Sequence, residues 1–577
     1  MNNKISNLDF LKFSLSLVHN KFKLFISIFL SLVSAILTLI IPYIIGLVFN
    51  PEIIALLNIK PSILICSLLV IAFIFIIHSL STYSLGSIGI DTLTKLQANF
   101  FKHSLKLPIT QIYSLKTGDI NSRIMNDLAS IAQFFSVLMP QLIVNSFIVI
   151  GSIVLLILIN WQLTFIVLSI LPIFILIQIP LNIKLEKLSC DSSLKNGENS
   201  AYIFQRLTNI KLVKSKMTEN YEGVISYYRF KNHGKTMKKL LALETVSLTV
   251  GAILLFAYLF FVFYYSFNLY MTSNLSIPKL VSFFLYVLTT VSPLLDIVNI
   301  ISQISETKGN ISRILQIMNL HVEENNGSNT IPKIESITAR KLNFSYGNEK
   351  TILHEVDFEI NRPSLVAFVG PSGVGKTTLL ELIMKFHANY GGSLKINGVE
   401  LSKLKLSNIR NNIEYINQYQ ELFEGTIRDN LIYGYEGSVE DNKIYNILEL
   451  VNANEFVSAM PKGLDSYVSE SANNLSAGQK QRLNIARSLL NDPDVLLFDE
   501  PTSNLDGLSK KIIYNLLKYL SKIYIVIVVS HEIEAIKDAN KIYVLEKDGR
   551  IINSGTHNEL FNNSETYQNL YYHNIEK

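Results

Sequence analysis

Residues 370–378 read Gly370-Pro371-Ser372-Gly373-Val374-Gly375-Lys376-Thr377-Thr378, between an apolar run, Leu365 to Val369, and a helix-forming run, Thr378 to Met384. The stretch fits G-x-x-x-x-G-K-[ST] in the strand–loop–helix setting that this pattern needs. Glycine tolerates backbone conformations that turn successive N–H groups inward, toward phosphate oxygens. The helix that follows adds its positive end. Lys376 is placed to reach terminal phosphates, and the Thr377 hydroxyl suits Mg²⁺. Gly-rich turns before helices are common, so the loop needs support from elsewhere in the chain.

That support lies downstream. Val495-Leu496-Leu497-Phe498 is an apolar strand that runs into Asp499 and Glu500. Asp499 suits Mg²⁺, directly or through water. Glu500, one position on, suits orienting and deprotonating a water for attack on a γ-phosphate. A second strand, Tyr524 to Val529, ends in Ser530-His531. A lone histidine is usually structural, but at this strand end His531 is placed to sense or stabilise a γ-phosphate. Gln418, after Ile416-Asn417, can join Mg²⁺ and the attacking water, although a glutamine in a loop means nothing by itself. Continuous runs such as Ile525 to Val529 are what buried parallel strands look like. The expected fold here is α/β around a parallel sheet, with its chemistry at the strands' C-terminal ends. Between the acids and the first loop lies Asn474-Leu475-Ser476-Ala477-Gly478-Gln479, a small-residue turn that opens a helix. A helix start of this kind suits phosphate. A chain with its own phosphate loop does not need a second, so the expected client is the nucleotide of another copy.

The chain has 577 residues, a net charge of +5 and only two cysteines. Its mean hydropathy is +0.31, high for a water-soluble protein. Ile, Leu, Phe and Val dominate the first three hundred or so residues, and the remainder mixes apolar and charged residues. No basic stripe of the kind that binds nucleic acid is visible. Cys66 lies in an apolar segment and Cys190 in a loop, which argues against a disulfide framework. About 20 mostly apolar residues cross a bilayer, and six stretches qualify: 24–48, 63–88, 137–159, 163–183, 246–270 and 280–304. The last carries Asp296, which should face a cavity, a partner or the cytosolic end. Asn160-Trp161-Gln162 forms a tight turn between the third and fourth stretches. The long connections, 91–136 and 184–245, are rich in lysine and extend as helix-compatible sequence, so the positive-inside rule puts them and both termini in the cytosol. Residues 1–20 read as an amphipathic surface helix with Leu8, Leu11, Leu15 and Val18 on one face. The organisation expected is thus 1–20 at the membrane surface, a six-helix membrane domain over 21–322, a polar linker over 323–330, and a nucleotide-binding domain over 331–577.

Phosphate loop, glutamine, Leu475-Ser476-Ala477-Gly478-Gln479, Asp499-Glu500, Ser503-Asn504-Leu505-Asp506 and His531 occur in the order, and roughly the spacing, of an ATP-binding-cassette (ABC) transporter. Nearly the whole chain resembles a fused half-transporter of the exporter type, bacterial multidrug exporters in particular. The resemblance implies that Tyr346 stacks on adenine, that ATP and Mg²⁺ are the cofactors, and that Leu475–Gln479 and Asp506 act across a dimer. It also places helices that dock on the ATPase domain near Thr117-Gly118-Asp119 to Asp127 and near Lys211-Leu212-Val213-Lys214. Departures are Ala477 where glycine is usual, Asn417 for a common proline, and a partial fit at Ser469-Glu470-Ser471. None removes a chemical group. With every site residue in one chain, a homodimer is the economical expectation, a heterodimer its alternative. The expected activity is ATP-driven export of an apolar or amphipathic cargo from a plasma membrane. A lipid flippase and an ATP-gated channel with little turnover are the alternatives.

Overall fold

The computed structural model describes residues 21–49, 61–115, 117–271, 276–323, 325, 327–347, 351–419, 421–469, 472–503 and 505–575. The expected surface helix at 1–20, together with Glu470, Ser471 and Asn504, lies outside them. The chain packs as two units, one of residues 1–104 and 118–319, the other of 105–117 and 320–577.

The first unit is helical. Its long helices are α1 (Lys21–Val48), α2 (Pro61–Ser104), α3 (Met139–Ile159), α4 (Trp161–Thr208), α5 (Glu219–Met271) and α6 (Ile277–Met318). Shorter α- and π-helical stretches run from Thr117 into α3. Five helical runs among the described residues are long and apolar enough to cross a membrane; the run containing α4 is not among them. The helices do extend past the apolar stretches, as expected, because the sequence beyond them still favours helix. At the junction of α3 and α4 only Asn160 leaves helical geometry. Its side chain accepts from the Leu163 N–H at 2.9 Å, so Trp161 opens α4 instead of sitting in a three-residue turn. A ladder of side chains joins α1 to α2. Lys23 Nζ donates to Ser87 at 2.9 Å, Ser27 meets Ser84 at 2.6 Å, Ser31 bonds Ser81, and Ser34 meets His78 at 3.4 Å. In an apolar medium such bonds spare hydroxyls from facing hydrocarbon.

The second unit holds β1 (Ser336–Ser345), β2 (Thr351–Asn361), β3 (Ser364–Val369), β4 (Gly391–Ile396), β5 (Val399–Glu400) and β6 (Ile413–Ile416). A two-stranded pair, β7 (Gly425–Thr426) with β8 (Tyr467–Val468), precedes β9 (Val495–Asp499), β10 (Ile525–Val529), β11 (Lys541–Leu545) and β12 (Ile551–Gly555). An antiparallel sheet has the order β2-β1-β4-β5; the larger sheet has the order β12-β11-β3-β10-β9-β6 and is parallel except for β12. Every residue of β3, β9 and β10 is buried, which explains their unbroken apolar runs. The register decides where the chemistry lies. Val529 stands beside both Phe368 and Asp499, so β3, β10 and β9 end together and present Gly370, Ser530 and Glu500 along one edge.

Candidate functional site

The loop after β3 requires glycine at two tight points. Gly370 has φ +157°, and a Cβ there would lie 2.6 Å from the Leu545 carbonyl oxygen. Gly375, at φ +99°, would meet Ile352 Cγ2 at 2.7 Å. Gly375 caps α7 (Lys376–Ile383). Lys376 is buried, and its Nζ donates to the carbonyls of Gly370 and Pro371 at 2.9 Å each. It has no carboxylate at ion-pair distance among the described residues. Burial pulls its amine below the usual lysine range, against the fields of Glu500 and Asp499. A desolvated ammonium held only by carbonyl dipoles favours an anionic ligand.

Asp499 faces this loop from the end of β9. Its Oδ1 accepts from the Thr377 hydroxyl at 3.2 Å and its Oδ2 from the Tyr415 hydroxyl at 3.1 Å. Burial raises the Asp499 carboxyl even so. Glu500 has φ +49°, a left-handed conformation that costs a side-chain-bearing residue on the order of 1 kcal/mol and is found at functional sites. Its N–H donates to the Val529 carbonyl at 2.8 Å, which pins the turn to the adjacent strand. The carboxylate lies 2.5 Å from His531 Nε2 and accepts from Gln418 Nε2 at 2.9 Å. The structure therefore brings Gly370–Thr378, Gln418, Asp499, Glu500 and His531 to one sheet edge.

Tyr346 adjoins the same loop. Its hydroxyl donates to Glu381 Oε2 and meets Thr378 Oγ1, both at 3.1 Å, and His387 Nε2 bonds the same Glu381 oxygen at 2.8 Å. Phe344 and His387 pack edge-on to its ring, and burial pushes the phenol up to about 12. A cavity of about 650 Å³ opens beside it, lined also by Phe386, Tyr390, Pro108 and Gln111, the last two from the 105–117 segment.

The Ser476 turn forms a separate cluster. Ser476 caps α8 (Ala477–Leu490): its Oγ accepts from the Gln479 N–H, and its own N–H donates back to the Gln479 side chain at 2.9 Å. Leu475 is buried below it. Asp506 caps α9 (Gly507–Leu520) by accepting from the Ser509 N–H at 3.2 Å. Gly478 closes the gap between the two helix starts, since a Cβ there would lie 2.4 Å from Ser509 Oγ. Among the described residues no hydrogen bond or ion pair links Leu475–Gln479 to the phosphate loop or to Glu500.

Tyr415, Glu381 and His387 escaped the sequence reading. Only Tyr415 carried a signal, as an aromatic on the strand leading to Gln418. Near the expected docking sequences, short helices occupy Ile109–Ser114 and Ile210–Ser215, the first a few residues ahead of its marker.

Both halves of the chain match models of one family: "ABC transporter transmembrane region" over residues 24–294 and "ABC transporter" over residues 353–503. The chain belongs to the ABC transporters, in the fused half-transporter arrangement, and is an ATP-hydrolysing multi-pass membrane transporter of the exporter type. It is 28% identical over 487 residues to a multidrug resistance ABC transporter ATP-binding and permease protein of Lactococcus lactis, covering 84% of this chain and 82% of that one. It is 29% identical over 497 residues to an ATP-dependent lipid A-core flippase of Photobacterium profundum, covering 85% and 84%. Its fold is similar to that of a solved bacterial Atm1-family ABC exporter with ATP bound, with a TM-score of 0.81, 22% identity, and coverage of 96% and 98%.

Proposed function

We propose that this chain is an ATP-driven exporter of an apolar or amphipathic molecule (a drug, an antibiotic peptide or a toxin), working as a pair of identical copies in a plasma membrane. The observation that carries the reading is Glu500, held between His531 and Gln418 at the sheet edge that also presents Lys376 and Asp499. Residues 21–322 would be the membrane domain with six spans, and 331–577 the ATPase, reached through 323–330. The lysine-rich connections support a cytosolic position for the ATPase and both termini.

In this reading the loop N–H groups and Lys376 bind the phosphates, and Tyr346 meets the base. Thr377, Asp499 and Gln418 offer a hydroxyl, a carboxylate and an amide oxygen, the hard donor set that suits Mg²⁺. Bound there, Mg²⁺ would neutralise charge that develops on the transferring phosphoryl group. Glu500 accepts the proton of the attacking water, His531 keeps the carboxylate in place, and Gln418 fixes its second oxygen. The partner copy lends its Ser476 turn and Asp506, which forms two equivalent sites across a two-fold axis. Charge repulsion after hydrolysis separates the copies, and the long cytosolic helices carry that movement to the spans.

A lipid flippase is the second reading, supported by the names of several relatives; the scarcity of charge in the spans weighs against an anionic lipid. The test is ATP-dependent accumulation of an amphipathic dye in inverted vesicles, with Glu500→Gln as the control. Uptake that persists in that variant would sink the proposal. Movement of fluorescent lipid but of no dye would favour the second reading.

A further inference from the structure

A charged cluster stands directly behind His531. The Glu532 carboxylate accepts from Lys510 Nζ at 2.5 Å through Oε1 and from the Tyr514 hydroxyl at 2.6 Å through Oε2. Lys510 and Tyr514 are one turn apart on α9, hence on one face of that helix. Thr502, buried and two residues past Glu500, lies beside the same carboxylate. The main chain is pinned as well. The Glu532 N–H donates to Ser530 Oγ at 2.9 Å, a local turn that closes around His531. His531 therefore sits between two anchored residues, with its Nε2 2.5 Å from Glu500 Oε1.

Neither charge is where helix stability or hydration alone would put it. Lys510 lies in the first turn of α9, its N–H donating to the Asp506 carbonyl at 2.9 Å, and a cation at a helix N-terminus opposes the macrodipole. Burial raises the Glu532 carboxyl, yet hydrogen bonds from Lys510 and Tyr514 overcome this and hold it below its usual range. The Lys510 and Glu532 side chains are 31% and 28% exposed, so solvent screens the pair less than it screens a surface pair. One carboxylate thus ties three pieces of chain: the first turns of α9, the turn after Glu500 and the residue after His531.

We propose that Glu532 is a positioning residue for hydrolysis: gripped by Lys510 and Tyr514, it fixes the chain at His531 so that the imidazole stays on Glu500, and it ties that contact to the start of α9. This rests on Glu500 as the base and deepens that reading. Asp506 opens α9, so a shift of the Asp506 turn reaches His531 through one ion pair.

Steady-state ATPase, ATP affinity and the melting midpoint, all measured on the full chain in lipid nanodiscs, test this. Lys510→Glu sets two carboxylates together and should lower kcat by about tenfold or more, with ATP affinity held within about twofold. Glu532→Gln keeps the shape and removes only the charge, and should lower kcat several-fold at a near-normal melting midpoint. The reversed pair, Lys510→Glu with Glu532→Lys, should bring kcat back to within about threefold of wild type, which a general loss of packing would not allow. Unchanged kcat in Lys510→Glu or Glu532→Gln, a fall in ATP affinity that accounts for the lost turnover, or a reversed pair no better than Lys510→Glu alone would overturn the proposal. Glu500→Gln on the same preparation separates it from the reading beneath it. Full turnover in Glu500→Gln overturns the base assignment and this proposal together, whereas lost turnover there beside unchanged kcat in Glu532→Gln overturns this proposal alone.

Discussion

Gly478→Ala is the sharpest test of the packing around the Ser476 turn. Gly478 is the second residue of α8, and its missing side chain lets that helix start lie against the start of α9. A methyl group there would lie 2.4 Å from Ser509 Oγ, 3.0 Å from Ser509 Cβ and 3.9 Å from Asp506 Oδ1. The hydroxyl can rotate away, but the Cβ cannot. Carbon atoms prefer about 3.5–4.0 Å, so the two helix starts must part by about 0.5 Å or more. Overpacking of this kind costs about 1–3 kcal/mol. Alanine's better helix propensity returns at most about 1 kcal/mol, so the net effect is destabilising by about 1–2 kcal/mol. At roughly 2–4 °C per kcal/mol for a unit of this size, the melting midpoint of the detergent-solubilised chain should fall by several degrees. Steady-state ATPase should fall with it, because the Ser476 and Asp506 turns shift together, whereas ATP affinity should hold within about twofold. Ser509→Gly removes both clashing atoms and keeps the N–H that Asp506 caps. The double variant should therefore recover most of the loss, a coupling of at least about 0.5 kcal/mol. A Gly478→Ala protein as stable as wild type, or a double variant whose effects simply add, would refute the close approach.

Glu500→Gln should lower ATP turnover by about 10²- to 10⁴-fold while ATP binding survives, because an amide keeps the shape but cannot take the proton; phosphate release and nucleotide binding measured on the same preparation separate the two, and near-normal turnover removes Glu500 from the role of base. Glu414 accepts from Asn491 Nδ2 at 2.7 Å, and burial holds its carboxyl above the usual range. A folded-state value above the unfolded one means that the native chain binds more protons across that interval, so stability falls as pH rises through it. Glu414→Gln should thus raise the melting midpoint at pH 7, with the gain fading toward pH 4 and ATPase unchanged; a loss of stability at pH 7 would contradict the sign.

What the sequence made legible was local. β3, β9 and β10 could be read because each is buried on both faces and writes an uninterrupted apolar run, and the acids, glutamine and histidine follow those runs directly. The continuation of α2, α4 and α5 beyond their apolar stretches was readable because the polar residues there still form helix. Partnerships across the fold were hidden. Tyr415 reaches Asp499 only because β6 pairs beside β9, with Ile416 opposite Phe498. Glu381 and His387 meet Tyr346 across more than thirty residues, and nothing local announces it. The α1–α2 ladder has the same character: Ser27, Ser31 and Ser34 repeat with helical period, as do Ser81, Ser84 and Ser87, but neither series names the other.

Least legible was the membership of Leu105–Thr117. This segment is flanked on both sides by membrane-unit sequence, yet it packs with the ATP-binding unit. Its attachment is visible. The Glu323 N–H donates to the Lys106 carbonyl at 2.7 Å, and the Glu323 carboxylate accepts from Arg410 Nη1 and Nη2 at 2.7 and 3.0 Å. Arg410 in turn lies 5.0 Å over the Phe386 ring. The chain enters this segment from the helical unit after Ser104 and returns to that unit at Gly118. Arg410→Ala removes the paired, ring-stacked anchor of Glu323. Hydrogen bonds to charged groups are worth about 1.5–3 kcal/mol, and partial exposure of both side chains puts the loss near the lower end. Lys376, Asp499 and Glu500 are untouched, so basal ATPase should stay within about twofold. Cargo stimulation of ATPase and transport per ATP hydrolysed should fall several-fold, and Arg410→Lys, which keeps the charge but not the two-pronged geometry, should recover only part. Equal losses of basal and stimulated activity would mean that Arg410 merely holds the ATP-binding unit together, and undiminished transport would mean that the segment is anchored without it.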